Sequence, residues 1–454
     1  MYLLGAAAAA GALEAAPAGR KPKRWFQPSH TSTPASFNLS SRTASSKLCE
    51  RLPKRTGFAI DTPVAPPGAS ARTARPRFYM YDRPAYDMSA VLACAPSWRE
   101  DDQAAEVLVL RQLEGHAARV HDPEHATLFV VPVLPYVSWV AGTCRGTTHD
   151  QRMGAAAAAL RNESYFARHG GRDHLLVSNT FRIQAFKAFK PLLLRASIGW
   201  FEQPEASKLG PSVLYEIAKA QWRCTVVIPY LANPHCDGPA AATSNAERAP
   251  GSFFFQGAWG VAQPIRGRFA LLQRMAGANV HDVARGQHLA KAAPGDAGVD
   301  GGGGADGGGA VARALPVDSS KLATARMMQR AEFCLAPRGD TPSSGRLFAA
   351  MQCGCVPLVI STHLPQHLPF LGQGVNYPAF LGQIPEAHFL CNPQRAVGAA
   401  IAALRPQLPM LRAGMRVAAR DLLFDVPGSR VADRMLREWQ RTCAVQAEDG
   451  ERGA

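Results

Sequence analysis

The stretch Phe333-Cys-Leu-Ala-Pro-Arg-Gly-Asp-Thr-Pro-Ser-Ser-Gly-Arg346-Leu-Phe, followed by Gly354-Cys-Val-Pro-Leu-Val-Ile-Ser361 and Leu368-Pro-Phe370, constrains the fold more than any other part of the chain. A short apolar run, a polar loop with glycine and proline, a helical segment and a second apolar run read as strand, loop, helix, strand. Runs apolar on both faces belong in a parallel sheet covered by helices. Arg346 stands in the first turn of that helix, where the helix dipole repels a cation. A cation kept there points to a bound anion. Free N–H groups at the helix start, with Ser343, Ser344 and Gly345 as caps, hydroxyl donors or close backbone and Arg346 as the counter-charge, suit a diphosphate.

At 454 residues the chain exceeds one ordinary core and fits two α/β domains with a cleft between them, plus tails. The formal charge of +15 looks like a nucleic-acid signal, but residues 1 to 77 hold twelve Lys/Arg against three acids (Glu14, Glu50, Asp61). Most of the basicity is therefore tail. No zinc finger, heptad array or aromatic-basic motif accompanies the remainder, so no nucleic-acid partner is expected.

No run reaches the roughly 18 apolar residues that span a bilayer, and Met1 to Leu13 is short and mostly alanine. That start reads as a weak signal peptide, and the Arg/Ser-rich, acid-poor segment behind it as a transit segment. Ten cysteines are scattered, and Cys353-Gly-Cys355 lacks the second pair that a structural zinc site needs. No metal is expected, and the first reading of the cysteines is buried thiols. In an oxidising compartment Cys224 and Cys236, which flank a short loop, become a plausible bridge, and Asn162-Glu-Ser and Asn38-Leu-Ser become candidate glycan acceptors.

Residues 1–75, rich in Ala, Ser, Pro and Arg, read as a disordered or targeting segment. The first domain is expected over 76–250. Arg77 to Tyr81 opens it as a strand, Val107, Leu110, Leu113, Ala117 and Val120 mark a helical face, and Ala126 to Val133 is a buried strand. Helices are expected at 151–168, 183–197 and 211–222, with strands at His174 to Ser178 and Cys224 to Pro229. This is a doubly wound pattern. The second domain is expected over 251–445, opening with Ser252-Phe-Phe-Phe-Gln-Gly257. Within it, 292–310 reads as a low-complexity surface insertion, 318–330 as a helix, and 393–443 as two or three helices.

In this order the residues resemble the exostosin family of glycosyltransferases over roughly 77 to 385. The matching pieces are Tyr79-Met-Tyr-Asp-Arg-Pro84, Asp122-Pro-Glu-His-Ala126 with Leu128-Phe-Val-Val-Pro132, Gly171-Arg-Asp-His174, Val226-Val-Ile-Pro-Tyr230, Phe255-Gln-Gly257 with Arg266-Gly267, and the motif ending at Phe370. The resemblance implies a GT-B architecture, two Rossmann-like domains facing a cleft, with the acceptor held mainly by the first and a nucleotide sugar mainly by the second. It also implies inversion at the anomeric carbon, with the nucleotide sugar as co-substrate and neither metal nor other cofactor required.

A metal-free transferase must neutralise the leaving diphosphate with cations and helix N-termini. Arg346 is the first candidate, Arg338, Arg266 and Arg268 are secondary, and Gly257 and Gly339 are candidates for close backbone approach to the donor. Inversion in one displacement also needs a base near the acceptor hydroxyl. Asp173, His174 and Asp82 are the candidates, weighed against a structural Arg-Asp-His salt bridge. His149-Asp150 and Glu100-Asp-Asp102 read as solvated charges. Where related sequences carry acids, this chain has Ala349, Thr362 and Asn376.

The expected activity is transfer from a UDP-sugar onto a polysaccharide or glycoprotein glycan, in the Golgi lumen or on its membrane. The alternative is a non-catalytic subunit that binds glycan or partners a membrane-bound transferase. A dehydrogenase is disfavoured, because no Gly-x-Gly-x-x-Gly follows a first strand.

Overall fold

The computed structural model describes residues 75–180, 183–203, 223–239, 248–257, 265–282, 320–339 and 342–444. The tail before residue 75, the helix expected at 211–222 and the insertion 292–310 lie outside the described residues. The chain is α/β, with two parallel sheets.

The first sheet contains β1 (Phe78–Met80), β2 (Arg119–Val120), β3 (Leu128–Val131), β4 (His174–Val177), β5 (Ser197–Trp200) and β6 (Cys224–Val227) in the order β2-β1-β3-β4-β5-β6. The second contains β7 (Phe253–Gly257), β8 (Ala278–Asp282), β9 (Phe333–Pro337), β10 (Val356–Ile360) and β11 (Gly382–Gln383) in the order β11-β10-β9-β7-β8. Both follow one rule. The first strand lies between the second and the third, so the order reverses beside it, and the carboxyl ends of strands at such a reversal open a crevice. Every residue of β3, β4, β9 and β10 is buried, as a sheet covered on both faces requires.

The helices that position the site are α1 (Ala105–Glu114), α2 (Pro135–Ala141), α3 (His149–Arg161), α4 (Ser164–Arg168), α5 (Lys321–Arg330), α6 (Gly345–Gln352), α7 (Pro393–Leu404), α8 (Leu408–Leu422) and α9 (Val431–Trp439). Thr148 and Gln151 form a capping box that starts α3, and Ser320 caps α5. Two expectations need correction. The helix expected to run to Val120 ends at Glu114, because Gly115 follows and Arg119–Val120 pair as β2. The helix expected at 183–197 is a 3-10 segment (Ile183–Phe189) and one turn (Lys190–Leu193), after which β5 begins. Four residues are too few to display a period in the sequence.

The core under the first sheet continues into Leu347, Phe348 and Met351 of α6 and into α9. α9 returns to the first sheet, where Trp439 Nε1 donates to Ser197 Oγ at 3.1 Å and the amide of Ala432 to Gln112 Oε1 at 3.1 Å. A separate core under the second sheet centres on Phe255 and Phe269, whose rings stack at 3.8 Å, together with α7.

Every cysteine among the described residues is disulfide-bonded, which overturns the buried-thiol reading. The expected Cys224–Cys236 bridge is also overturned. Cys224 pairs with Cys443 and Cys236 with Cys353, beside Cys94–Cys144 and Cys334–Cys355. Nearness in sequence misleads here because β6 carries the chain from one end of the sheet to the other. At about 3.3 Å per residue it separates Cys224 from Cys236 beyond the reach of a disulfide.

Candidate active site

β9 ends at Pro337 and α6 begins at Gly345, both beside β7, where the strand order of the second sheet reverses. Ser344 is extended and its hydroxyl accepts the amide of Arg346 at 3.3 Å, an N-cap. The Arg346 side chain turns back over the crevice. Its Nε donates to Gln256 O at 3.2 Å, its Nη1 to Ser344 Oγ at 3.3 Å, and its guanidinium carbon lies 5.4 Å from the Phe255 ring centroid. Gly257 makes the room. A Cβ there would meet Arg346 Nη2 at 2.9 Å and Phe255 Cζ at 2.8 Å.

The carboxyl ends of the first sheet bring three groups to this spot. Ser343 is buried, and its amide donates to Glu202 Oε1 at 2.8 Å. Its hydroxyl lies 2.5 Å from the same oxygen and 3.1 Å from Tyr230 Oη. Those contacts tie the two halves of the chain together. Asp102, just before α1, places Oδ2 against the head of α6, where a Cβ on Gly345 would meet it at 2.5 Å. Burial raises the Asp102 carboxyl above its ordinary range, and Lys321 and Arg346 pull it back down. An acid from one half thus faces a helix start and a cation from the other.

Residues 72–380 match the family described as the exostosin GT47 domain. The chain belongs to the exostosin GT47 family of glycosyltransferases. Among its relatives is a "Probable glucuronoxylan glucuronosyltransferase" of Arabidopsis thaliana, 24% identical over 374 residues that cover 78% of this chain and 69% of that protein. Another is the "Probable arabinosyltransferase ARAD1" of the same plant, 25% identical over 258 residues that cover 56% of this chain and 48% of that one.

The other residues singled out in this GT47 chain are scattered. Arg338 gives its Nε to Glu386 Oε1 at 2.9 Å, so its charge is compensated. Arg266 and Arg268 lie in the 3-10 segment Arg266–Arg274, and the Arg266 side chain is outside the described residues. Gly339 has only Ser343 O near the place of a Cβ, at 3.8 Å, and would accept alanine. Asp82 is exposed after β1 and accepts the Tyr79 hydroxyl at 3.4 Å. It lines a pocket of about 510 Å³ whose walls all come from the first half of the chain.

Asp173 and His174 sit at the amino end of β4, the end opposite the crevice. His174 is fully buried, 2.8 Å from both Tyr81 Oη and Asp173 Oδ1, and stacked 5.0 Å from Phe129. Burial lowers its pKa. It is a core histidine, and neither it nor Asp173 or Asp82 reaches Arg346.

Sequence reading missed Asp102, which it took for a solvated charge. The usable signal was its position, after the first strand and just before a helix, where a doubly wound sheet presents ligand groups. Glu202 follows β5, a strand the sequence hid. Among the family's usual acidic positions, Ala349 packs against the cluster around Cys236 and Cys353, while Thr362 and Asn376 are exposed. Among the described residues no group of three His, Cys, Asp or Glu is arranged to hold a metal.

Proposed function

We propose that this chain is an inverting glycosyltransferase of GT-B architecture that moves a sugar from a UDP-sugar onto a glycan. Residues 76–250 take the acceptor and 251–445 the nucleotide sugar. The observation that carries this reading is the Arg346 guanidinium, held by Gln256 and Ser344 over the first turn of α6. A diphosphate seated there meets the positive end of the α6 dipole and a fixed cation, which stabilise the charge that grows as the sugar–phosphate bond breaks.

Asp102 takes the role sought for Asp173, His174 or Asp82. Its carboxylate stands on the acceptor side of the same crevice and takes the proton of the attacking hydroxyl as the new glycosidic bond forms. The relatives' names point to a glucuronosyl or arabinosyl donor. The disulfides support an oxidising compartment, which fits the Golgi lumen, and the reading includes a membrane-bound partner transferase. No described helix is long and apolar enough to cross a membrane.

The test is thermal stabilisation by UDP and a panel of UDP-sugars, with donor hydrolysis as the second readout. A ligand at a hundred times its Kd adds about 2.7 kcal/mol. Arg346→Ala should remove both stabilisation and turnover, and unchanged UDP affinity in that variant sinks the site. Asp102→Asn should keep UDP binding and lose about 10²- to 10⁴-fold in turnover. If the folded wild type ignores every nucleotide sugar, the non-catalytic subunit replaces this reading.

A further inference from the structure

At the amino ends of the first sheet, three successive loops enter β4, β5 and β6, and each brings arginine. Arg168, His169, Gly170 and Arg172 precede β4, Leu194 and Arg195 precede β5, and Arg223 precedes β6. Together they line a pocket of about 530 Å³. Arg223 is fixed in place: its Nη1 donates to Arg172 O at 2.6 Å and its Nη2 to Cys443 O at 2.7 Å. Both of these partners are carbonyls, and the Cys224–Cys443 disulfide anchors the wall it leans on.

The acids nearby offset only part of this cluster. Asp173, 2.8 Å from His174 through Oδ1, acts on Arg223, and Glu124 pairs with Arg168 at 3.7 Å while accepting the Tyr165 hydroxyl at 2.7 Å, which leaves two carboxylates against four guanidinium groups. Arg172 and Arg195 have no ion pair among the described residues. The helices ending here, α4 and Lys190–Leu193, have five and four residues, too short for their dipoles to offset four guanidinium groups. Burial lowers the Arg223 pKa, the neighbouring Arg172 lowers it further, and Asp173 opposes both.

We propose that this pocket is a second glycan site, separate from the crevice, that binds the carboxylates of an acidic, uronate-bearing polysaccharide. Planar guanidinium groups match carboxylates in bidentate pairs, and a concave group of four that outnumbers its two neighbouring acids is complementary to several anions at regular spacing. The strands between pocket and crevice are four residues long, about 13 Å at about 3.3 Å per residue, so one polysaccharide chain can reach both. The proposal rests on the reading of the chain as a glycosyltransferase, because that reading supplies the glycan.

The experiment measures binding of an oligogalacturonate of about ten residues by calorimetry at two salt concentrations, with a neutral xylan oligosaccharide and UDP as controls. The wild type should bind the oligogalacturonate, more weakly at the higher salt, and prefer it to neutral xylan. The variant carrying Arg172→Glu and Arg195→Glu should lose at least tenfold in that affinity while its UDP-induced thermal shift stays intact. Arg195→Gln alone, at an exposed position, should lose a smaller factor and guards against misfolding of the double variant. Equal affinity in wild type and variant, no binding by the wild type, or tighter binding of RNA or inorganic phosphate than of the uronate oligomer overturns the proposal. Loss of UDP binding in Arg346→Ala with oligogalacturonate binding retained separates failure of the pocket from failure of the crevice.

Discussion

The two ends of the first sheet carry opposite charge and settle it in different ways. At the carboxyl ends stand Asp101, Asp102 and Glu202, and each has a counterpart. Tyr136 Oη meets Asp101 Oδ2 at 2.5 Å, Ser343 meets Glu202, and Lys321 and Arg346 act on Asp102. At the amino ends stand Arg168, Arg172, Arg195 and Arg223, met by two carbonyls, by Glu124 at 3.7 Å from Arg168 and by Asp173, whose charge acts on Arg223. A parallel sheet makes all its strands enter at one end and leave at the other, but it does not dictate the charge of the loops. The acidic end is a junction where Ser343, Lys321 and Arg346 of the second half meet Glu202 and Asp102. The basic end keeps more guanidinium groups than Glu124 and Asp173 can pair, and the contrast assigns one to chemistry within the fold and the other to something outside it.

The largest test of that contrast is to cut the disulfides one at a time. Cys236–Cys353 spans 117 residues and ties the segment after β6 to the residue following α6, the helix whose first turn meets the crevice. Cys224–Cys443 spans 219 residues and ties the start of β6 to the segment after α9, beside Arg223. Replacing either pair by alanine should lower stability by about 2 to 5 kcal/mol, read from denaturant unfolding without reductant. Only loss of Cys236–Cys353 should weaken UDP binding, and only loss of Cys224–Cys443 should weaken binding of the uronate oligomer. If each loss impairs both ligands equally, the two ends are not independent and the comparison fails.

A smaller effect is expected at the contact between Asp102 and α6. Gly345→Ala places a methyl 2.5 Å from Asp102 Oδ2, so the carboxylate or the helix start must move. Overpacking of this kind costs about 1 to 3 kcal/mol. The variant should lose turnover more than UDP affinity, since the methyl displaces the acid and leaves Arg346 in place. Gly257→Ala should do the reverse, because there the added methyl meets Arg346. Identical kinetic losses in the two would show that these glycines only support the backbone.

Much of this architecture is legible in the sequence, and the illegible part has a physical cause. β9, α6 and β10 are plain because long apolar runs and a cap stand next to each other, and Arg346 is conspicuous because it breaks the dipole rule. Asp102, Glu202 and the arginine pocket are invisible because they are made by topology. Asp102 and Gly345 are 243 positions apart and touch only because the carboxyl ends of two sheets face one another. Arg172, Arg195 and Arg223 look like ordinary surface charges until three strands enter the sheet side by side. The cysteine pairing failed for the same reason, since sequence distance does not measure distance across a sheet.

The smallest signal is a pH slope to which Glu106 and His367 contribute with opposite sign. Glu106 is fully buried on α1 with its Oε1 accepting the amide of Val137 at 3.0 Å, and burial pushes its carboxyl from 4.5 to about 8. The folded protein then holds a proton that the unfolded chain releases, so this group's contribution is complete below about 4.5 and declines as pH rises toward about 8. His367 works in the opposite direction. Its Nδ1 accepts the amide of Gln203 at 3.1 Å, and burial with His363 nearby takes it from 6.5 down to about 4. The unfolded chain takes up that proton first, so the histidine's contribution is complete above about 6.5 and is lost as pH falls toward about 4. Between about 4.5 and 6.5 these two slopes oppose each other, and between about 6.5 and 8 the decline due to Glu106 is the one of the two that is left. Glu106→Gln should keep the Val137 contact and flatten the stability profile in that upper window alone, as measured by urea midpoints at half-unit pH steps. A decline that persists unchanged in Glu106→Gln would assign it to another group and show that Glu106 holds no extra proton in the folded protein.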